Sequence, residues 1–196
     1  VEPDGTSGED AGDAGGSGCD DGLTECGGEC VDTESSSDHC GGCDNPCPDD
    51  SCSEGVCSSI SMQVLEATNE ARTTDSDCGS EGEFSAADAL EFDPDLTEAA
   101  QVHADDMAEN DFIGHTGSDD STFSERVDRT DYTGFPVGEN VAAGYPTPED
   151  VVDGWMDSDG HCRNIMNPDA DEMGAAMVEN SDGQYTYYWV QVFGSR

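Results

Sequence analysis

With 196 residues, a hydrophobic share of only 33% and a formal charge of −42, the chain is strongly acidic and has room for one domain and an appendage. Its 47 acids face five arginines and no lysine. That excludes phosphate-backbone binding, which needs clustered basic side chains, so no nucleic-acid partner is expected, and it opposes adhesion to anionic membranes. The acids run through the apolar part of the chain as well, which reads as a halophilic adaptation in which salt screens the self-repulsion.

The chain opens at Val1 with no signal peptide or anchor and reads as a processed or trimmed form. No apolar run is long enough to span a bilayer, so no transmembrane segment is expected. Residues 1–18 hold glycine, serine and acids and nothing to bury, and read as a flexible linker.

Eight of the ten cysteines fall between Cys19 and Cys57. So short a segment has no core of its own, which predicts a disulfide-rich module over 19–57 and an oxidising, extracytoplasmic setting. Its pairing stays open. Cys40 and Cys43, spaced C-x2-C beside His39, carry a weaker zinc reading.

Residues 60–196 hold nearly all the aromatic bulk and predict the main domain. Residues 60–72 read as a helix with two adjoining stripes, Ile60/Val64/Ala67/Ala71 and Met62/Leu65/Asn69, and so as a helix buried on a wide arc. A loop with Cys78 follows. Asp93-Pro94 starts a second helix, with Leu96, Ala99, Ala100, His103 and Met107 at helical spacing up to Asn110. His103 reads as a core histidine with some reach toward the site. Gly114-His115-Thr116-Gly117 is a turn, 121–129 suits a short helix, and Tyr132, Phe135, Pro136 and Val137 read as packing a loop before Gly138-Glu139-Asn140. Thr147-Pro148 starts another helix, stopped by Ser158-Asp159-Gly160, with His161 on the turn beyond. The segments 173–178 and 184–193 read as strands. In the second, Tyr185, Tyr187, Trp189, Gln191 and Phe193 share one face and Thr186, Tyr188, Val190 and Val192 the other. Both faces look covered, which predicts a central strand between helical layers.

His115, Glu139 and His161 each follow a glycine. Two imidazoles and a carboxylate are the donor set of a divalent-metal site, or of a base that orients water, with Glu139 the candidate for that role. The plainer alternative is a hydrogen-bonded network holding loops together. No HExxH and no GxSxG nucleophile elbow is present. Asn140 reads as a bond to loop backbone. Cys78 and Cys162 stand outside the cysteine module, and pairing them would tie the first loop to the residue beside His161.

The segments NEAR (69–72), AAQVHADDMAENDFIGHTG (99–117), FSERV (123–127), GENVAAGY (138–145), VVDGWMDSDGHCRNIMNP (151–168) and YWVQVFG (188–194) resemble, in order and spacing, the CAP superfamily of SCP-like domains in its bacterial secreted form. The resemblance implies an α+β fold, an α-β-α sandwich around a central, mostly antiparallel sheet. It implies a cleft of two histidines and two acids that in some members binds zinc or another divalent cation. His115, Glu139 and His161 match three of the four. The fourth position is Ser158, with Asp157 and Asp159 as neighbouring substitutes. A Cys78–Cys162 disulfide is similar to that of some bacterial members. The CGGECVD and HCGGCDNPC pieces of the N-terminal module resemble stigma-specific-type cysteine-rich repeats.

The function expected on this basis is a secreted or cell-surface binding module for an extracellular macromolecule or lipid. The alternatives are a metal-dependent hydrolase of peptide or cell-wall substrates, with His115 and His161 as ligands, and a structural protein with a vestigial cleft.

Overall fold

The computed structural model describes residues 19, 22–27, 29–33, 36, 39, 42, 43, 52, 53, 56, 57 and 59–196. The linker expected over 1–18 lies outside the described residues, as does Cys40. The chain divides into two units, Val1–Cys57 and Ser58–Arg196.

In the first unit, β1 (Thr24–Cys26) pairs antiparallel with β2 (Glu29–Val31), and β3 (Cys52–Ser53) with β4 (Val56–Cys57). Gly27 opens the first hairpin turn at φ 64°, a backbone region costly to any side chain. Disulfides join Cys19 to Cys30 and Cys26 to Cys43. The second bond removes Cys43 from the zinc reading, because a disulfide sulfur is not a thiolate ligand.

The second unit begins with α1 (Ile60–Arg72), which Ser59 caps by accepting from the Met62 amide at 3.0 Å. A small hairpin follows, β5 (Ser76–Asp77) and β6 (Glu83–Phe84), spanned by a 3-10 turn at Gly79–Glu81, and then β7 (Glu91–Phe92). Asp93 caps α2 (Pro94–Asn110), its carboxylate accepting from the Asp95 and Leu96 amides. Thr122 and Glu125 form a capping box on α3 (Phe123–Val127). Strand β8 (Phe135–Ala143), α4 (Pro148–Met156), α5 (Asp159–Ile165), β9 (Glu172–Glu179) and β10 (Tyr187–Ser195) complete the unit.

The main sheet has the order β7-β9-β10-β8, with β7 parallel to β9 and the other pairs antiparallel. Strand β10 is central. Trp189 and Phe193 pack into one apolar cluster with Val64 of α1, Val151 and Trp155 of α4 and Ile165 of α5. Tyr188, Val190 and Val192 pack into the other, with Leu96, Ala100, Ala104 and Met107 of α2 and Val127 of α3. The strand therefore buries both faces, and the fold is an α-β-α sandwich.

Three local readings need correction. The buried face of α1 is Ser61, Val64, Leu65, Thr68 and Arg72, while Met62 is exposed. Apolar periodicity alone does not find this face, because its polar members are held by specific bonds. Ser61 Oγ accepts from the Ala175 amide, and the Arg72 guanidinium donates to the carbonyls of Asp88, Ile165 and Asn167. Second, Phe135, Pro136 and Val137 belong to strand β8 and not to a loop. Pro136 and Gly138 hide the pattern, and pairing with β10 supplies what the segment lacks locally. Third, His161 lies in the first turn of the separate helix α5.

As an edge strand, β8 has carbonyls that need covering. The Glu139 carbonyl accepts from Asn164 of α5 at 3.1 Å and the Val141 carbonyl from the Trp155 indole of α4 at 3.3 Å. Side chains thus occupy an edge that could otherwise template another strand. The Cys78–Cys162 disulfide closes a separation of 84 residues and fixes α5 to the β5–β6 hairpin. Loop-closure entropy for that span is about 4–5 kcal/mol in the chain-entropy treatment.

Candidate functional site

Three elements bring the site together. His115 comes from the turn after α2, Glu139 from mid-β8 and His161 from the start of α5. The Glu139 side chain is 1% exposed and the His115 ring 55% exposed. His115 Nδ1 lies 2.9 Å from Glu139 Oε1. A carboxylate only accepts, so Nδ1 carries the hydrogen and Nε2 of the neutral ring keeps its lone pair. The rings of His115 and His161 are 6.5 Å apart between centroids, inclined by 50°. Burial, and secondarily the neighbouring His115, push the His161 imidazole below its usual pKa, so it is neutral at physiological pH.

The other oxygen of Glu139 is also engaged. Arg126 of α3, itself almost fully buried, places Nη2 2.6 Å from Glu139 Oε2. The same nitrogen donates to the His115 carbonyl at 3.1 Å, and Nη1 donates to the Ser121 carbonyl at 2.9 Å. A buried carboxylate alone would be expensive, and this ion pair makes its position tenable. Sequence reasoning assigned Arg126 no role. The available signal was a cation inside the short helix of a chain that has only five.

Beneath the histidines runs a buried amide ladder. Asn164 Nδ2 donates to Asn140 Oδ1 at 2.9 Å, Asn140 Nδ2 to Gln191 Oε1 at 3.0 Å, and Gln191 Nε2 to Thr68 Oγ1 at 2.8 Å. Asn140 Nδ2 also reaches the His161 carbonyl at 3.4 Å. The ladder links β8, β10, α1 and α5 and so sets where Glu139 and His161 stand. Gly138 gives Asn164 room, since a Cβ there would come within 3.3 Å of its side chain. Gln191 and Thr68 also went unassigned, although a glutamine in the apolar run Tyr187–Phe193 is a visible anomaly.

The remaining candidates fall elsewhere. His103 is fully buried on α2, with Nε2 2.7 Å from the Gly114 carbonyl, so it supports the turn that carries His115 from below. Ser158, at the position matching the fourth cleft residue, precedes α5 and makes no side-chain capping bond. Asp157 is exposed at the end of α4. Asp159 turns its carboxylate to Ser80, accepting from the amide at 2.9 Å and the hydroxyl at 2.6 Å, and these bonds hold its pKa below the usual range.

The donor set therefore fits a three-ligand metal centre poorly. Both Glu139 oxygens face partners, the acid nearest the fourth position is committed to Ser80, and two imidazoles are left. Among the described residues no three His, Cys, Asp or Glu side chains are placed to hold a metal ion.

Comparison with known proteins gives family matches for both parts of the chain. Residues 65–193 match the cysteine-rich secretory protein family (CAP), and residues 6–60 match the stigma-specific STIG1-like protein family. The chain is 33% identical over 107 residues to the uncharacterized protein YkwD of Bacillus subtilis, covering 53% of this chain and 38% of the relative. It is 30% identical over 88 residues to the uncharacterized membrane protein YlbC of the same organism, covering 45% and 25%. The chain thus spans well under half of either relative. An extracellular protein containing a SCP domain from Bacillus anthracis shares the fold, with a TM-score of 0.56 and 23% identity over 70% of this chain and 40% of that one. An outer surface protein from Borrelia burgdorferi gives 0.51 and 28%, over 56% and 80%.

Proposed function

Because the chain belongs to the cysteine-rich secretory protein family, we propose that it works outside the cell, as a binding or interaction module whose contact residues are His115 and His161. The observation that carries this reading is the state of Glu139, which is buried and held on one side by Arg126 and on the other by His115. A carboxylate so engaged orients the imidazole above it, and each of its oxygens already accepts a hydrogen bond. The exposed His115 ring is then a group shaped to touch something else. An extracellular or surface setting is supported by the SCP-domain protein of Bacillus anthracis and the outer surface protein of Borrelia burgdorferi, and by the disulfides.

The competing reading is a hydrolase using zinc or another divalent ion held by His115 and His161. One experiment separates the two. Labelled whole chain and a His115→Ala/His161→Ala variant are compared for saturable retention on purified cell envelopes. Both are also assayed on labelled casein and peptidoglycan, with and without added zinc. The expected result is retention that the variant loses, with no turnover by either protein. Zinc-dependent turnover that disappears in the variant would establish the hydrolase. Equal retention of both proteins would leave the histidines with no role in contact.

A further inference from the structure

We infer that Arg126 is the positioning residue of this site: it holds Glu139 and the His115 backbone together, fixes the His115 hydrogen on Nδ1, and so turns Nε2 outward as an acceptor for an N–H or O–H donor on the ligand. The inference rests on the reading of His115 as a contact residue and adds the group that sets its hydrogen-bonding polarity.

The geometry is that of one planar fork serving three segments. Nη2 lies between Glu139 Oε2 on β8 and the His115 carbonyl on the turn, while Nη1 takes the Ser121 carbonyl just before α3. An ammonium has no such fork, so lysine would not reproduce these contacts. The position also bears a cost that a purely space-filling residue would avoid, since Arg126 Nε is buried without a hydrogen-bond partner among the described residues. With Oε2 taken by Arg126, Glu139 presents Oε1 to His115 as a fixed acceptor. The nitrogen that carries the hydrogen in a neutral imidazole is set by the bond the ring makes. Here that nitrogen is Nδ1, and the lone pair falls on Nε2 of a ring 55% exposed.

The test uses the whole chain with 15N-labelled histidine at about pH 8, above the ordinary imidazole range. Long-range 1H–15N correlation spectra read the tautomer of each ring. The wild type should show His115 with the hydrogen on Nδ1. In Arg126→Gln, His115 should shift toward the Nε2–H form that unconstrained histidine prefers, while the His161 signals stay in place. Unmoved His161 signals distinguish this from general unfolding, because the amide ladder holds that residue independently of Arg126. Arg126→Lys keeps the charge without the fork and should give an intermediate mixture, and it carries the test if Arg126→Gln does not fold. A wild-type His115 with the hydrogen on Nε2 overturns the inference with no variant needed. A His115 unchanged in the folded variant removes Arg126 from it. No ligand enters these spectra, so a confirmed tautomer beside failed envelope retention would sink the interaction reading alone.

Discussion

His103 shows what burial does to a single titratable group in this fold. It is fully buried on α2, and its Nε2–H is the donor to the Gly114 carbonyl, which leaves Nδ1 without a partner among the described residues. Loss of hydration lowers its pKa from the ordinary value, and this outweighs the opposing pull of Glu139. The sign of the linkage follows. Between the lowered folded pKa and the ordinary value near 6.5, the unfolded chain binds more protons than the folded one. Stability therefore falls as pH drops through that window. The wild type should lose more melting temperature than His103→Gln on acidification from about pH 7.5 to about 5.5, before carboxylate protonation dominates. Parallel curves for the two proteins would show that His103 titrates normally. At this scale His115, Glu139 and His161 were legible, because histidines and acids behind glycines are conspicuous. Arg126, Gln191 and Thr68 were not, because a buried polar residue declares itself only through partners distant in sequence.

At the scale of elements, β10 was readable from its own residues and β8 was not. Strand β10 has β-branched and aromatic side chains on both faces, so its sequence states both that it is a strand and that it is central. Strand β8, FPVGENVAA, becomes a strand because β10 pairs with it, a non-local cause. The small residues of β9 also have a non-local explanation. A Cβ on Gly174 would collide with the backbone of Leu96 and Thr97, where the first turn of α2 lies directly on the sheet. Backbone cannot yield as a flexible side chain does, so Gly174→Ala must push α2 away from β9 and β10. The expected cost is on the order of 3 kcal/mol, read as a lower urea midpoint at unchanged slope. An unchanged midpoint would mean that α2 sits farther from β9 than its packing implies. Gly154 follows the same logic more gently, since a Cβ there would meet the ring of Tyr145.

For the whole molecule the governing quantity is charge. All five arginines lie among the described residues, and each is already engaged. Arg72 is buried against backbone carbonyls and Arg126 against Glu139. Arg129 pairs with Asp119 and Arg163 with Glu81, while Arg196 bridges Asp93 and Glu172 over the Tyr132 ring. With no lysine in the chain, no basic side chain remains to offset the rest of the 47 acids. Folding gathers the acids of residues 59–196 that the unfolded chain spreads out, so repulsion opposes folding and dissolved cations relieve it. The Debye length contracts from about 30 Å at 0.01 M salt to about 3 Å at 1 M, and most of the relief should come early in that range. The melting temperature should therefore climb steeply from low millimolar to a few hundred millimolar sodium chloride and more slowly toward molar. Sucrose at matched osmolality strengthens burial without screening, and it should not reproduce the early rise. A flat response to sodium chloride would show that the acids are too well hydrated and too dispersed to strain the fold, and the halophilic reading would fall with it. An equal rise in sucrose would assign the stabilisation to apolar burial instead of charge.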